Sequence, residues 1–374
     1  MLSGFAAESS SRWPLGRFER VVDVTLEPLL QAAAPHLSTP LVSVASLRHL
    51  QALSAGLPRA PVHRCGIECR LGEGLLRTDF CVCVRREGAG RLMELLVQPE
   101  GSGGAWVRLA RLCTSWRDSS SSLHNHVPEI WLGFDLEGPL VQRPDPVVSL
   151  SRLRWKEAVG THGFSAEVAT VCHAACALHS EADAFPINRE IIDRCLSHLS
   201  PEAVVVHVGA LGARRVQAVR LVISVRWQEI VTYLTQIGWP GQLDRVGQLA
   251  ERYGPLADSL SICLDLGTAI APCLGVELFP SVAYDNRQEI RVLLDLLVSD
   301  GLCTPTKGGQ VLGWPGSSPL EGGGLAGRTL SHLKINLRDG CAEAKAYFAL
   351  AEVRRIRTHP LLPLYRLEVG GDCA

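Results

Sequence analysis

Apolar and polar residues alternate strictly in two runs near the end of the chain, on either side of the turn Arg338-Asp339-Gly340. Because successive side chains of a strand point to opposite faces, this pattern predicts a β-hairpin over about residues 331–350. One face of the hairpin is polar and the other is apolar. The polar face carries His332, Lys334, Asn336, Glu343, Lys345 and Tyr347, and the apolar face carries Leu333, Ile335, Leu337, Ala344, Ala346 and Phe348.

The same pattern of paired strands recurs earlier in the chain. Apolar or alternating runs predict strand pairs that begin near residues 64, 127, 203 and 260. Apolar positions at helical spacing predict helices at 19–34, 43–56, 88–97, 105–116, 164–180, 187–199, 227–237, 242–258 and 285–299. A Gly-, Pro- and Ser-rich segment from Thr304 to Gly327 predicts a loop. Five hairpins separated by helices indicate a repeated architecture.

Five hairpins supply about ten antiparallel strands, and a sheet of that size must curl or close. We therefore predict an α+β fold, a closed antiparallel barrel of about ten strands that leaves a cavity inside. Helices would cover the outside and meet the apolar strand faces, so the polar faces would point inward. A single open sheet with one solvated face remains the alternative. The barrel is expected to span residues 19–367 as one domain, with tails at 1–18 and 368–374.

Composition narrows the classes of function. The chain has 374 residues, 47% of them hydrophobic, and a formal net charge of -1, which gives no general attraction to nucleic acid. No apolar run approaches the ~20 residues that span a bilayer, and the first residues do not resemble a secretion signal. The 13 cysteines are scattered through apolar runs, which favours free buried thiols in a reducing cytoplasm.

The inward faces of the predicted barrel would collect many charged groups. Arginine and lysine inside a closed barrel are costly unless an anion neutralises them, and phosphate oxygens suit such a set. Carboxylates in the same space offer a general base or a cation site. The predicted lumen residues are Glu68, Arg70, Arg77, Asp79, Glu129, Trp131, Asp135, His207, Arg220, Ser224, Asp265, Glu277, Lys334, Asn336, Lys345 and Tyr347.

A barrel of ten antiparallel strands built from repeated α-β-β-α units resembles the ABBA-type (PT-barrel) aromatic and peptide prenyltransferases. Glu68, followed one strand later by Arg77, is similar to the base glutamate and diphosphate-binding arginine of that family. Lys345-Ala346-Tyr347 is similar to the lysine-x-tyrosine pairs with which its indole branch binds diphosphate. The chain departs from that branch because the pair occurs once and tyrosine is scarce, with 5 in all.

The resemblance implies transfer of an allylic prenyl group from a prenyl diphosphate to an aromatic small molecule or a peptide side chain. It implies that Glu68 is the catalytic base and that Trp131 and Phe279 form the cavity wall. No cofactor would be required, although Asp265 and Glu277 could hold Mg²⁺. The residues that would bind the diphosphate are Arg77, His207, Arg220, Lys334, Lys345 and Tyr347.

Two alternatives stay open at this point. One is a non-catalytic protein that binds an anionic or peptide ligand in the same cavity, and the other is a different transferase or a phosphate-ester enzyme on the same barrel. Two further motifs predict no site. The Gly-rich run 322–327 lies between a loop and a strand, the wrong context for a dinucleotide site. Cys172 and Cys176 are spaced for the buried face of a helix.

Overall fold

The structure is a computed structural model in which part of the chain is described. The described residues are 25–37, 39–57, 62–74, 76–96, 104–136, 147–151, 164–178, 189–211, 218–280, 287–321 and 323–353. The two tails predicted from the sequence, the first residues of the helix predicted at 19–34 and the segment after residue 353 lie outside these ranges.

Within the described residues, eleven strands form one continuous antiparallel sheet. They are β1 (Arg64–Arg70), β2 (Thr78–Arg85), β3 (Glu129–Asp135), β4 (Val147–Ser151), β5 (Val204–Ala210), β6 (Val219–Val225), β7 (Ser259–Leu266), β8 (Ile270–Phe279), β9 (Gly316–Pro319), β10 (Leu325–Arg338) and β11 (Cys341–Val353). Each of the first seven strands pairs with the next, β8 pairs with β10, β10 with β11, and β11 with β1. Ten strands therefore close into a barrel, and the short β9 pairs outside that ring with the start of β10.

In the described part of the chain, two helices precede each hairpin of the barrel, except that three precede the hairpin of β3 and β4. The helices are α1 (Leu26–Ala33), α2 (Val44–Gly56), α3 (Ala89–Leu96), α4 (Gly104–Arg117), α5 (Ser122–His126), α6 (Phe164–Cys176), α7 (Arg189–Ser197), α8 (Ile230–Gln236), α9 (Leu243–Tyr253), α10 (Arg287–Ser299) and α11 (Pro305–Gly313). Among the described residues, no helix is both long and apolar enough to cross a membrane. The predicted repeat of hairpins and helix pairs, and the closed barrel that follows from it, are confirmed.

Aromatic contacts show which strand faces meet the helices. The ring of Phe134 on β3 stacks on Trp106 of α4, with centroids 6.3 Å apart. On β11, Phe348 lies 4.8 Å from the ring of Trp314, which directly follows α11. The apolar faces of these strands therefore look outward to the helices. The polar faces, which alternate with them, line the lumen as the sequence pattern predicts.

The segment from Thr304 to Gly327 is not the loop that its composition predicts. It contains α11, β9 and the start of β10. The Thr304 side chain accepts a hydrogen bond from the backbone N–H of Lys307, and Pro305 occupies the first turn, so the helix has a regular N-terminus. A Cβ atom at Gly308 would lie 4.0 Å from Leu294 Cβ, an ordinary contact distance, so α11 packs directly against α10 at this position. The proline of this segment thus belongs to a helix start, and its glycines are accommodated within a packed helix.

The hairpin from β10 to β11 turns through two residues in left-handed conformation. Asp339 has φ 47° and Gly340 has φ 76°. A two-residue turn with both φ values positive matches the right-handed twist of the flanking strands, and Asp-Gly is well suited to it. The turn thereby sets the register that places Lys334 opposite Lys345. The strands are longer than predicted, since β10 begins at Leu325.

Two β-bulges directly precede the lumen histidines. The β10–β11 register shifts between Leu330 and His332, so Ser331 is an extra residue. The β5–β6 register shifts in the same way between Val205 and His207. A bulge reverses which residues face inward along the rest of a strand. His332 shares the lumen face with Lys334 through regular alternation, and the residues before each bulge take the opposite phase.

The cysteines behave as the sequence predicts. All twelve cysteines within the described ranges are free. Burial raises the pKa of most of these thiols, for example to about 12 at Cys113, so they stay protonated near neutral pH. They act mainly as small apolar side chains.

We expect Gly275→Ala to destabilise the barrel by about 1–3 kcal/mol. A Cβ atom at Gly275 would lie 2.5 Å from Cε of Lys334 and 3.1 Å from Cβ of Cys263, so the lysine would have to move. Urea unfolding of the two proteins measures the difference. Gly309→Ala is the matched control, because nothing lies within 4 Å of its Cβ position on α11. Gly309→Ala should be stabilised by up to about 1 kcal/mol. Equal stability of Gly275→Ala and wild type would show that position 275 has room for a Cβ atom and would contradict the prediction.

Candidate functional site in the barrel lumen

Strand register brings the predicted site residues of β10, β11 and β1 together. His332 lies directly opposite Tyr347, and Tyr347 lies directly opposite Glu68. The same row continues through Asp79 on β2 to Asp135 on β3. Because directly opposite side chains share a face, all five point into the lumen.

Lys345 and Glu68 form a direct ion pair on the lumen wall. Lys345 Nζ donates to Glu68 Oε1 at 2.8 Å, and both side chains are nearly buried. Arg70 Nη1 lies 3.4 Å from the same carboxylate oxygen, and Tyr347 lies directly opposite Glu68 on β11. Burial acts to raise the pKa of Glu68, but the charges of Lys345 and Arg70 outweigh it and hold that pKa well below its ordinary value.

Lys334 forms the second ion pair, with Glu277 directly opposite on β8. Lys334 Nζ lies 3.0 Å from Glu277 Oε1 and 2.9 Å from the sulfur of Cys263 on β7. Burial opposes ionisation of Glu277, but the charge of Lys334 prevails and lowers its pKa to about 2. The carboxylate therefore remains ionised, and the lysine remains charged, throughout the neutral range.

Arg220 on β6 binds Asp265 on β7 through a two-point interaction. Arg220 Nε donates at 2.6 Å and Arg220 Nη2 at 2.8 Å to the two carboxylate oxygens of Asp265. Burial acts against the charge on Asp265, yet the hydrogen bonds and charge of Arg220 lower the pKa of that carboxyl group. The thiol of Cys273 lies 3.6 Å from the same carboxylate. Bidentate geometry makes this the most directional of the three ion pairs.

Arg77 lies at the end of the lumen where the hairpin turns are, and its side chain is 37% exposed. Its guanidinium lies 3.5 Å from Asp79 and 3.6 Å from Asp135. Asp79 also accepts a hydrogen bond of 2.9 Å from Arg70. Burial and the nearby charge of Glu68 raise the pKa of Asp79 to about 6, despite these arginines. This end of the lumen is rich in carboxylates as well as in arginines.

An aromatic surface lies next to the two lysines. The rings of His332 and Tyr347 stack at 4.1 Å between centroids, and Phe279 lies 4.8 Å from the His332 ring. Lys334 Nζ lies 6.0 Å from the centre of the Tyr347 ring. We call Phe279, His332 and Tyr347 the aromatic wall. It joins β8, β10 and β11 across the lumen face.

Trp131 and His207 lie in the lumen outside the aromatic wall. The guanidinium of Arg64 lies 5.4 Å from the Trp131 ring centre, and Arg64 is paired at 2.5 Å with Glu129 near the opposite end of the barrel. His207 is half-buried and lies opposite Ser151 of β4. Trp131 therefore belongs to a different section of the lumen from the aromatic wall.

The lumen cations are neutralised within the protein. Lys345, Lys334 and Arg220 each contact a carboxylate of the neighbouring strand. The sequence predicts that buried arginine and lysine need an anion, and the carboxylates on the same lumen faces supply that charge at contact distance. An incoming anion must compete with these ion pairs.

Asp265 and Glu277, which could hold Mg²⁺ according to the sequence, each accept hydrogen bonds from a cation. Within the described residues, no group of three or more His, Cys, Asp or Glu side chains could hold a metal ion. The present side-chain arrangement therefore does not fit a bound magnesium, and we derive no step through one.

Two residues of this site were not among those singled out from the sequence. His332 was noted only as part of a polar face, and Arg70 only as a lumen residue. Arg70 contacts Glu68, Asp79 and Glu343, with distances of 3.4, 2.9 and 3.3 Å. The sequence signal for both was their position in an alternating run, which does not distinguish them from neighbouring polar residues. Their importance follows from contacts between strands.

Comparisons with known proteins return solved structures only. No family model and no curated protein matches the chain. A 6-dimethylallyltryptophan synthase from Micromonospora olivasterospora, in complex with DMASPP and Trp, is 12% identical, with TM-score 0.48, over 86% of this chain and 94% of that chain. The apo form of prenyltransferase PriB is 13% identical, with TM-score 0.48, over 86% and 93%. A 5-dimethylallyltryptophan synthase from Streptomyces coelicolor is 14% identical, with TM-score 0.40, over 86% and 94%.

At identities of 12% to 14%, sequence comparison does not assign residues of those structures to the site residues of this chain. The closed order of ten strands with helices outside establishes the architecture by itself. It is the PT-barrel-like architecture that the resemblance implied, and that prediction is confirmed.

We expect His332 to contribute to acid sensitivity of the fold. Burial lowers its pKa from 6.5 to about 4, and the charge of Glu277 opposes this only in part. A histidine held neutral stabilises the folded state above the unfolded-state pKa, and the stabilisation is lost as the pH falls from 6.5 toward 4. The loss should amount to about 3 kcal/mol.

Urea unfolding of wild type and His332→Phe at pH 7 and pH 4 tests this expectation. Phenylalanine keeps an aromatic ring but cannot bind a proton, so the variant should lose less stability on acidification. His173→Asn is the control, because His173 is exposed on α6. An identical pH dependence in wild type and His332→Phe would contradict the assignment.

Proposed function

We propose that the barrel transfers an allylic prenyl group from a prenyl diphosphate to an aromatic small molecule or a peptide side chain. The observation that carries the proposal is the position of Lys334 and Lys345 beside the aromatic wall on adjacent strands. Prenyl transfer needs cations for the departing diphosphate and aromatic faces for the allylic cation. This lumen supplies both within one small region.

Diphosphate binding would rearrange the ion pairs described above. The diphosphate competes with Glu68 for Lys345 and with Glu277 for Lys334, since each lysine contacts its carboxylate at hydrogen-bond distance. Arg220 and Arg77 lie on the same lumen and can add bidentate contacts to phosphate oxygens. His207 and Tyr347 complete the proposed set. Charge developing on the leaving diphosphate would then be stabilised by these groups.

The same rearrangement would turn Glu68 into a better base. In the ion pair, Lys345 and Arg70 hold the pKa of Glu68 low, and a carboxylate of low pKa accepts protons poorly. When Lys345 turns to the diphosphate, burial raises the pKa of Glu68. Glu68 would therefore deprotonate or orient the acceptor mainly after the prenyl donor has bound. This couples the base to the donor without any additional residue.

The aromatic wall would face the allylic cation. Phe279 and Tyr347 offer their ring faces to the cation, and the His332 ring packs against both of them. A neutral ring attracts a cation through its π face, and a closed wall excludes water that would quench the cation. Trp131 lies in another section of the lumen, where it could contact the acceptor.

The lumen next to Glu68 has little side-chain bulk, which suits an aromatic acceptor. Gly66 lies two residues before Glu68 on the same face of β1. It is opposite Ala349 on β11 and Cys81 on β2. The row continues to Gly133 on β3. In the row that contains Gly66, four adjacent strands thus carry no side chain larger than the thiol of Cys81. An indole or phenol ring could approach the wall from this side.

Incubation with dimethylallyl or geranyl diphosphate tests the proposal. The acceptors are tryptophan, a phenol, and peptides that contain Trp, Tyr, His or Arg, and mass spectrometry detects the prenylated product. We expect turnover with at least one acceptor. Glu68→Gln should lower kcat by about 10²-fold or more, because the base is lost while the shape is kept. The absence of turnover with every donor and acceptor would overturn the proposal.

Lysine variants test the diphosphate site separately. Lys334→Met and Lys345→Met should each lower kcat/KM for the donor by about 10²-fold or more. Because either variant leaves a buried carboxylate unpaired, the double variants Lys334→Met/Glu277→Gln and Lys345→Met/Glu68→Gln restore charge balance. Unfolding of these proteins must resemble that of wild type. Arg287→Ala, on an exposed position of α10, is the control and should keep full activity. Unchanged kcat/KM in both lysine variants would remove these residues from the site.

A second candidate function is non-catalytic binding in the same lumen. The observation that favours it is the mutual neutralisation of the lumen charges, which suits a ligand that carries both charge signs, such as a peptide. Thermal stabilisation by a peptide, without product formation in the presence of any allylic diphosphate, would support binding alone. Formation of a prenylated product would favour prenyl transfer over binding alone.

A further inference from the structure

The imidazole of His332 has a nitrogen atom without a partner in the lumen. Its Nδ1 lies 2.9 Å from the hydroxyl of Ser331, the bulge residue next to it. Its Nε2 is buried and has no hydrogen-bond partner among the described residues. The nearest acidic oxygen, Oε1 of Glu277, is 4.0 Å away. A buried polar atom without a partner is unusual and calls for an explanation.

Charged groups surround this nitrogen from several strands. Glu277 on β8 and Glu68 on β1 act on His332 with negative charge, and Lys334 on β10 with positive charge. His207 faces it from β5, and Tyr347 stacks on it from β11. In this balance burial prevails and the imidazole is neutral. A moderate change in local charge would reverse the outcome, because the ordinary pKa of histidine is about 6.5.

Entry of a diphosphate would be such a change. The lysines that would bind the diphosphate are already neutralised by Glu68 and Glu277. A diphosphate adds at least two negative charges to this region, and the two carboxylates then lose their partners. Unpaired buried charge is costly, so additional positive charge is needed. Glu277 would need to rise from a pKa of about 2 to accept a proton at neutral pH, a larger change than His332 requires.

We propose that His332 is a further diphosphate-binding residue, which takes up one proton from solvent when the diphosphate enters and donates Nε2–H to a phosphate oxygen. The inference rests on the proposed function, because it concerns the same diphosphate site. No covalent bond changes: neutral imidazole and one proton become imidazolium, which the diphosphate neutralises. Regular alternation with Lys334 places this ring on the lumen face, and the Ser331 bulge lies directly before it.

Isothermal titration with inorganic pyrophosphate tests the proposal without catalysis. Titrations at several pH values from 6 to 9, with a chelator and in two buffers of different ionisation enthalpy, report the protons taken up on binding. Pyrophosphate itself titrates in this range, so the quantity compared is wild type minus His332→Phe. We expect wild type to take up as much as one proton more than the variant. The ratio of their affinities should rise by up to tenfold for each pH unit of acidification.

A second variant guards against a folding defect. His332→Gln keeps hydrogen-bonding capacity but cannot be protonated, so it should also lose the extra proton uptake. His173→Asn, on the exposed face of α6, should behave as wild type. If both His332 variants take up protons to the same extent as wild type, the inference is overturned. It is also overturned if wild type fails to bind pyrophosphate across the pH range.

The failure of this inference differs from failure of the proposed function. Prenyl turnover combined with proton uptake that does not depend on His332 would remove the inference and leave the transferase intact. Proton-linked pyrophosphate binding through His332, without any turnover, would support the inference and overturn the proposed catalysis. If wild type binds pyrophosphate only when Mg²⁺ replaces the chelator, a metal ion supplies the positive charge. That result would overturn the role of His332.

Discussion

Neutralisation of buried charge inside the barrel is the constraint on which the rest of the lumen depends. Lys345, Lys334 and Arg220 each contact a carboxylate on an adjacent strand. Such pairs tolerate burial only when each partner is satisfied, and removing one partner leaves a costly unpaired charge. The lumen is therefore a set of coupled pairs, and any ligand that binds one member changes the state of the other.

In the proposed function, this coupling would link donor binding to acid–base chemistry. A carboxylate freed from its lysine becomes more basic, and a neutral imidazole next to it gains affinity for protons. Glu68 and His332 would thus respond to the same event, the arrival of an anion, although they lie on different strands. The charge of the site would then depend on the ligand as well as on the protein, and pH is expected to matter most for binding steps.

Backbone irregularities hold this arrangement in place. Bulges directly precede His332 and His207, and Gly275 leaves room for the Lys334 side chain to cross to Glu277. The two bulges and Gly275 all lie in strands whose outer faces pack regularly against the helices. The barrel therefore keeps a continuous apolar outer layer while its inner face is shaped locally. Fold and site are specified by different residues of the same strands.

Strict alternation in β10 and β11 was enough to predict the hairpin, its two faces and, through recurrence, the closed barrel, because side-chain period depends on local geometry alone. The segment 304–327 was misassigned because α11 starts at a proline in its first turn and contains glycines, residues that composition associates with loops. The pairing of Lys345 with Glu68 and of Lys334 with Glu277 joins residues 277 and 57 positions apart. Only the tertiary structure decides such contacts, since register across distant strands determines which charges meet, and those contacts set the protonation of the lumen.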